Sequence, residues 1–291
     1  MTTQPNSPIV VGVDGSDTAA AAIRWAAAEA ARNHAPLQLI NAIDIPIDYG
    51  PGLGVVPIDP TPYRHEGAEI VSAAIRTATK AAAPIDMIEA AGEVTDGAPI
   101  PILIHRAETA RMLVVGTRGL GAFRRGLLGS VSTSVARHAS CPVAIIPETS
   151  KHPTEGPVVV GVDGSECSTR AVEIAFDEAS RRGTDLTAVL TWSEFNRFIP
   201  RAEMQIEAEG LLAESLAGYT EKYPDVTVRR IVAEASPTRR LLEESEHAQL
   251  IVVGSHGRGG FAGMTLGSVS QAVLHATEIP LIIARSTTEK P

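Results

Sequence analysis

The chain has 291 residues, which is enough for two domains that each bury a core of their own. Hydrophobic residues make up 44% of it and aromatic residues only 4%, so the core must consist of Ala, Val, Ile and Leu. That composition favours a parallel sheet covered by helices over a β-sandwich. The net charge of -9 excludes a broad basic surface, so we expect no nucleic-acid partner.

The N-terminal segment and the cysteines indicate where the protein works. The first eight residues are polar and lack the basic and apolar regions of a secretory signal. No apolar run approaches the roughly 20 residues that a membrane span requires. Cys141 and Cys167 have no ligand-like spacing and are interpreted as reduced thiols. We therefore expect a cytoplasmic protein without a membrane span.

An internal repeat organises the sequence. The segment Val-Val-Gly-Val-Asp-Gly-Ser at residues 10–16 recurs at 159–165, and Val-Val-Gly at 114–116 recurs at 252–254. The chain thus contains two copies of one unit. Between them, residues 147–157 carry three prolines and no hydrophobic period, which is typical of a linker. We expect one domain at residues 1–148 and the other at 156–291.

Short runs rich in Val and Ile alternate with longer Ala-rich amphipathic stretches, and this alternation is typical of βαβ units. In the first copy we predict strands at 9–13, 37–43, 85–90, 112–116 and 143–146, and helices at 16–33, 62–82, 98–108 and 130–138. In the second copy we predict strands at 158–162, 186–192, 226–232, 250–254 and 281–284. Five parallel strands with right-handed crossovers form a doubly wound sheet, which binds ligands beyond the carboxyl ends of its strands.

The fourth strand of each copy leads into a glycine-rich motif. Residues 116–130 and 254–268 both follow the pattern Gly-x2-Gly-x9-Gly-Ser. Glycines let the backbone approach a bulky anion without a Cβ in the way. The final Gly-Ser begins a helix whose first amides are unpaired, and such a helix end favours phosphate. Ser130 and Ser132, like Ser268 and Ser270, can add hydroxyl donors; the alternative is a flexible loop before a Ser-capped helix.

A carboxylate follows the first strand of each copy. Asp14 and Asp163 can accept a hydrogen bond from a ribose hydroxyl or an adenine amino group. The alternative is a turn residue in Asp-Gly-Ser before a helix capped by Ser16. Because the same carboxylate stands at the same strand end twice, we favour the ligand contact. Arg118 and His256 occupy equivalent positions in the two loops, and their side chains are expected to lie over phosphate or to face solvent.

The common catalytic signatures are absent from the sequence. Neither glycine-rich motif carries a lysine followed by Ser or Thr, and the first strand does not lead into Gly-x-Gly-x-x-Gly. No Gly-x-Ser-x-Gly and no His-Glu-x-x-His occurs either. The sequence therefore indicates binding without an evident base or nucleophile. A slow ATPase or an adenylyl-transferring hydrolase is the competing hypothesis.

In these motifs the chain resembles a tandem universal stress protein of the ATP-binding type, over nearly its whole length. The layout, including Phe-Asp-Glu-Ala-Ser-Arg-Arg at 176–182, is most similar to two-domain members from mycobacteria and related actinobacteria. The resemblance implies two Rossmann-like domains of the adenine nucleotide α-hydrolase type, each with parallel strands in the order 3-2-1-4-5. It also implies one ATP per domain, with or without Mg²⁺, and a homodimer or an internal pseudo-dimer formed through the fifth strands.

The resemblance further implies a regulatory role in stress or growth, with an unknown regulatory protein as partner. Asp14 and Asp163 would meet the ribose or the adenine, and Ala42 and Thr191 would lie beside the base. The nucleotide-binding residues expected in the first copy are Gly12, Asp14, Ala42, Gly116, Thr117, Arg118, Gly119, Leu120, Gly121, Ala122, Gly129, Ser130, Val131 and Ser132. Those expected in the second are Gly161, Asp163, Thr191, Gly254, Ser255, His256, Gly257, Arg258, Gly259, Gly260, Gly267, Ser268, Val269 and Ser270. We expect no catalytic residue and no metal ligand from the protein.

Overall fold

The computed structural model describes residues 7–45, 48–49, 55–56, 59–119, 128–148, 155–193, 200–259 and 265–285. The chain divides into two compact units, Met1–Val135 and Ala136–Pro291. The division falls within the last helix of the first copy, so the fifth strand of that copy belongs to the second unit. Both units are α/β structures, as predicted.

The first unit is built around a parallel sheet. Its strands are β1 (Ile9–Gly12), β2 (Leu37–Ile43), β5 (Ala90–Asp96) and β6 (Met112–Gly116), with a short antiparallel pair β3 (Asp48–Tyr49) and β4 (Val55–Val56). Its helices are α1 (Asp17–Asn33), α2 (Thr61–Ala82), α3 (Pro99–Ala107) and α4 (Ser130–His138), the last of which continues into the second unit. The described sheet has the order β6-β1-β2-β5, which corresponds to 4-1-2-3 of the predicted topology.

The second unit contains the complete predicted topology. Its strands are β7 (Val143–Ile146), β8 (Val158–Val162), β9 (Leu186–Trp192), β10 (Val228–Glu234), β11 (Leu250–Gly254) and β12 (Leu281–Ala284). Its further helices are α5 (Glu166–Arg182), α6 (Arg201–Leu216), α7 (Tyr219–Lys222), α8 (Pro237–Ser245) and α9 (Ser268–Ala276). The parallel strands β10-β9-β8-β11-β12 form the predicted order 3-2-1-4-5.

Strand β7 lies antiparallel to β12, with Ile145 opposite Leu281. The fifth strands of the two copies are therefore paired with each other within this unit. This is the pairing that we expected of the fifth strands in an internal pseudo-dimer. The association of two chains stays a prediction.

Small aliphatic residues fill the core, as the composition predicts. Residues 250–253 of β11 are at most 3% exposed, and the helix alanines Ala22 and Ala26 are fully buried. Trp25 is buried within α1, and Cys141 and Cys167 are both buried and form no disulfide. No described helix combines the length and the apolar character that a membrane span requires.

The prediction of a strand at 85–90 is wrong. Ile85 and Met87 lie between α2 and β5 and are 43% and 92% exposed, and the strand itself spans Ala90–Asp96. This strand is paired only with β2 among the described residues, and half of its side chains are exposed, so it has no apolar run. Its counterpart β10 likewise begins and ends two residues later than predicted.

Candidate functional site

An Asp-Gly-Ser turn joins the first strand of each copy to its first helix. In the second copy, Asp163 Oδ1 accepts a hydrogen bond from the Ser165 amide at 2.9 Å. Ser165 Oγ then caps α5 by accepting from the Ser168 amide at 3.2 Å. Gly164 has a φ of 74°, a value that glycine adopts without strain. Asp163 therefore shapes the turn, whatever else its carboxylate binds.

The first copy repeats this turn. Asp14 Oδ1 accepts from the Ser16 amide at 3.0 Å, and Ser16 Oγ accepts from the Ala19 amide at 3.2 Å to cap α1. The Ser16 hydroxyl also donates to Asp14 Oδ1 at 2.6 Å. The turn interpretation of the aspartates is thus correct in both copies. In the second copy it leaves lone pairs on the Asp163 carboxylate for a ligand, since an ionised carboxylate can accept about four hydrogen bonds.

The second oxygen of each carboxylate faces the glycine-rich motif. Asp163 Oδ2 accepts from the Arg258 amide at 3.2 Å. A Cβ at Gly257 would lie 2.4 Å from this oxygen, and a Cβ at Gly119 would lie 2.4 Å from Asp14 Oδ2. The second glycine of the motif is therefore required by the carboxylate. This contact joins the ends of the first and fourth strands into one site.

The first glycine of the motif is required by a helix. A Cβ at Gly116 would lie 2.8 Å from the carbonyl carbon of Thr18, and a Cβ at Gly254 would lie 2.9 Å from that of Cys167. The first turn of α1 or α5 thus lies directly on the end of the fourth strand. The sequence alone suggested that these glycines make room for an anion, whereas the structure shows protein contacts that already exclude a side chain.

A loop carbonyl is anchored in both copies, but by different hydroxyl groups. The Thr18 hydroxyl donates to the Arg118 carbonyl in the first copy. In the second copy, Ser165 Oγ donates to the His256 carbonyl at 3.2 Å. Arg118 and His256 occupy the same position, so the anchoring of the backbone is kept although the donor changes.

The two serines at the start of α4 and α9 have different surroundings. Ser130 and Ser268 are exposed at the helix N-termini, where they can contact a ligand. Ser132 and Ser270 are only 2% and 4% exposed. Ser132 Oγ lies 3.0 Å from the Thr117 carbonyl oxygen, and Ser270 Oγ donates to a backbone carbonyl as well. A phosphate contact by either buried hydroxyl would require these bonds to break.

Backbone hydrogen bonds close both loops in the same way. The Gly129 amide donates to the Thr117 carbonyl at 2.8 Å, and the Gly267 amide donates to the Ser255 carbonyl at 2.7 Å. The helix N-terminus is thereby held against the end of the fourth strand. Four of the expected site residues lie outside the described residues, namely Leu120, Gly121, Ala122 and Gly260.

In the second unit these elements surround a cleft of about 430 Å³. The expected residues that line it are Gly161, Asp163, Thr191, Gly254, His256, Gly257, Arg258, Gly259, Gly267, Ser268, Val269 and Ser270. Ser255 does not line it: its side chain is fully buried, and its hydroxyl donates to Cys167 Sγ at 3.3 Å.

The cleft also has a wall that the sequence did not predict. This apolar wall consists of Val162, Val189, Trp192, Ala235, Pro237, Leu241 and Val253, and Ser168 and Ser193 also line the cleft. Strands β8, β9 and β11 and helices α5 and α8 contribute most of them, and Trp192 lies opposite Glu234 of the parallel neighbour β10. The apolar run that ends in Trp192 was the only signal in the sequence for this wall. Such a run predicts where a strand ends, but it does not predict which strand or helix will pack beside that end.

The first copy places the corresponding residues at the same strand ends. Gly12 lies at the end of β1, where a Cβ would be 2.9 Å from Leu103 Cδ1 of α3. Its counterpart Gly161 has a similar neighbour in Leu241 of α8, at 3.3 Å. Ala42 lies near the end of β2 and is half-buried, as is Val131 in the first turn of α4.

The cleft combines a carboxylate acceptor, the N-terminal amides of a helix, which have no partner within the helix itself, a cationic side chain and an apolar wall. The carboxylate is that of Asp163, and Arg258 supplies the cation. The described residues contain no group of three or more His, Cys, Asp or Glu side chains that could hold a metal ion. Such a cleft at the switch point of a doubly wound sheet suits a ligand with an anionic end and a flat or hydroxylated end.

Comparison with known proteins establishes the family. Residues 5–147 and 156–285 each match the model of the universal stress protein family, and the chain therefore belongs to that family. It is 43% identical over 294 residues to universal stress protein Rv2005c of Mycobacterium tuberculosis, covering 96% of this chain and 97% of that protein. It is 41% identical over 304 residues to universal stress protein Rv1996 of the same organism, covering 97% and 96%.

The fold has a solved counterpart of similar length. The crystal structure of a universal stress protein from Archaeoglobus fulgidus DSM 4304 matches with a TM-score of 0.69 at 20% sequence identity. The match covers 96% of this chain and 98% of that chain. The resemblance to a tandem universal stress protein and the predicted Rossmann-like fold are both confirmed.

Proposed function

We propose that each copy binds one molecule of ATP and that nucleotide occupancy regulates growth or stress tolerance in the cytoplasm. The observation that carries this proposal is the arrangement around one cleft of the Asp163 carboxylate, the glycine-rich motif and the exposed N-terminus of α9. A cleft of about 430 Å³ lies within the range of small-ligand sites. A second copy of the chain or another regulatory protein is the proposed partner.

The chemistry of the lining suggests how ATP would lie. Its phosphates suit the α9 N-terminus, where Ser268 is exposed and the first amides are unpaired. Asp163 has lone pairs left for ribose hydroxyls. The base suits the apolar wall beside Thr191. Mg²⁺ would arrive on the phosphates, since it is commonly held by one or two carboxylates together with substrate phosphates.

Binding rather than rapid turnover is the role that we propose. His256 Nδ1 lies 3.2 Å from Ser255 Oγ, but this hydroxyl is fully buried. It therefore cannot reach a phosphate as a nucleophile without a rearrangement of the loop. ATP bound in this cleft would act as a signal or a structural ligand.

Isothermal titration calorimetry with ATP tests the proposal. We expect two sites per chain in the natural protein and one in either Asp14→Asn or Asp163→Asn. A hydrogen bond to a charged group contributes about 1.5–3 kcal/mol, so the altered site should bind roughly 10- to 100-fold more weakly.

Asp225→Asn is the matched control, because Asp225 pairs with Ser180 and does not line the cleft. Absence of any binding below millimolar ATP would reject the proposed function. Unchanged affinity in both variants would reject the site. Sustained phosphate release that Ser268→Ala abolishes would instead indicate an ATPase.

A further inference from the structure

Trp192 ends β9 and lines the cleft beside Thr191 and Ser193. Its side chain is half-buried, whereas Trp25, the other tryptophan of the chain, is 9% exposed within α1. Trp192 therefore presents part of a large aromatic ring to the space where a ligand would bind.

The indole of Trp192 is held in place from outside the cleft. Its Nε1 donates to Gln205 Oε1 of α6 at 2.8 Å, and Gln205 Nε2 donates to Glu209 Oε1 at 2.7 Å. The backbone carbonyl of Trp192 accepts a hydrogen bond from the Ala235 amide at 3.1 Å. Because the polar edge of the ring is already satisfied, the apolar surface of the ring is the part that a ligand can contact.

The first copy has an aliphatic residue at the same place. Ile43 ends β2, and its carbonyl accepts from the Gly97 amide at 2.8 Å, as the Trp192 carbonyl does from Ala235. Gly97 and Ala235 both follow the edge strand directly, so the two hydrogen bonds are equivalent. Ile43 is 8% exposed and offers no flat surface.

An aromatic ring favours a flat partner, because stacking and dispersion grow with the area of overlap. A purine has two fused rings and a pyrimidine has one, so an indole distinguishes them more strongly than an isoleucine does. Val189, Pro237 and Leu241 add further apolar surface to the lining of the cleft.

We propose that Trp192 makes the site of the second copy selective for purine over pyrimidine nucleotides, while the site of the first copy, with Ile43, selects less. This inference rests on the proposed nucleotide function and adds the base preference of one of its two sites.

The fluorescence of Trp192 reports on the second site alone. In Trp25→Phe, Trp192 is the only tryptophan, because the chain has two. We expect ATP to change its emission and to half-saturate this change at a concentration roughly tenfold lower than CTP, in line with the energy of base stacking on aromatic rings. In Trp192→Phe, the emission of the buried Trp25 should not respond to either nucleotide.

Calorimetry in an Asp14→Asn background, where the first site is weakened, tests the role of the ring. We expect Trp192→Ile to weaken ATP binding roughly tenfold and CTP binding about twofold, and Trp192→Phe to retain most of the preference. ATP binding without a response from Trp192, or an unchanged preference in Trp192→Ile, would overturn this inference and leave the proposed function standing. No ATP binding to the natural chain would overturn both.

Discussion

The two copies keep the same backbone framework and differ in the side chains at the end of the second strand. In both, an aspartate at the end of the first strand contacts the second glycine of the motif, and a helix turn covers the first glycine. At the end of the second strand, however, Ile43 and Asp44 in the first copy correspond to Trp192 and Ser193 in the second. The framework is thus kept in both copies, while the residue that we propose to select the base is present in only one of them.

The anchoring of the loop carbonyl shows the same principle on a smaller scale. In the first copy the Thr18 hydroxyl donates to the loop carbonyl. In the second copy the equivalent residue is Cys167, whose Sγ accepts from the Ser255 hydroxyl, and Ser165 donates to the loop carbonyl instead. The position of the backbone is preserved, and the identity of the donor is not. Equivalent substitutions in the framework of the two copies should therefore have similar effects on stability.

The largest expected effect tests this equivalence directly. Gly116→Ala and Gly254→Ala each place a Cβ within 3.0 Å of helix backbone, and such overpacking costs about 1–3 kcal/mol of unfolding free energy. Urea unfolding should show comparable losses in the two variants. Gly259→Ala is the control, because nothing lies within 4 Å of a Cβ there. If either framework variant unfolded like the natural chain, the shared role of this glycine would be wrong.

A smaller effect concerns the ends of the first helices. His34 has a φ of 48° after α1, and Gly183 has a φ of 62° at the same place after α5. His34→Gly should raise the unfolding free energy by about 0.5–1 kcal/mol, because glycine adopts this conformation without a Cβ clash.

The contact between His34 and Asp86 that this substitution removes is largely exposed and contributes little. Gly183→Ala should destabilise by a similar amount in thermal unfolding. Equal stability of His34→Gly and the natural chain would show that this difference between the copies has no energetic consequence.

The smallest expected effect depends on pH. Hydrogen bonding from the Arg64 guanidinium lowers the pKa of the Asp96 carboxyl at the end of β5 below its ordinary value. The stability from this pair is therefore present above the ordinary carboxyl range and is lost as the pH falls through the lowered pKa.

Asp96→Asn should consequently show a slightly smaller loss of thermal stability between pH 5 and pH 2 than the natural chain. Arg64→Ala should behave in the same direction, since it removes the cause of the lowered pKa. A steeper loss of stability in either variant would contradict the assignment.

The parts predicted well from the sequence are those with a local signal. The buried runs of β1, β6, β8 and β11 and the Gly-Ser starts of α4 and α9 are periodic or carry fixed turn residues. Strand β5 was misplaced because Gly92 and Glu93 belong to a half-exposed edge strand and give no apolar pattern. The apolar wall that includes Trp192 and the contacts of Gly116 and Gly254 could not be predicted, because they depend on strand register and helix packing. Both of these arise only in the folded chain.

Native mass spectrometry of the chain with excess ATP tests the central claim that each copy holds one nucleotide. At an ATP concentration that just saturates the natural chain, the main species should carry two ATP in the natural chain, one in Asp163→Asn and none in the double variant Asp14→Asn/Asp163→Asn, because each altered site binds roughly 10- to 100-fold more weakly. A natural chain whose mass stays unchanged at millimolar ATP, where even a binding free energy of about -4 kcal/mol would give occupancy, would contradict it.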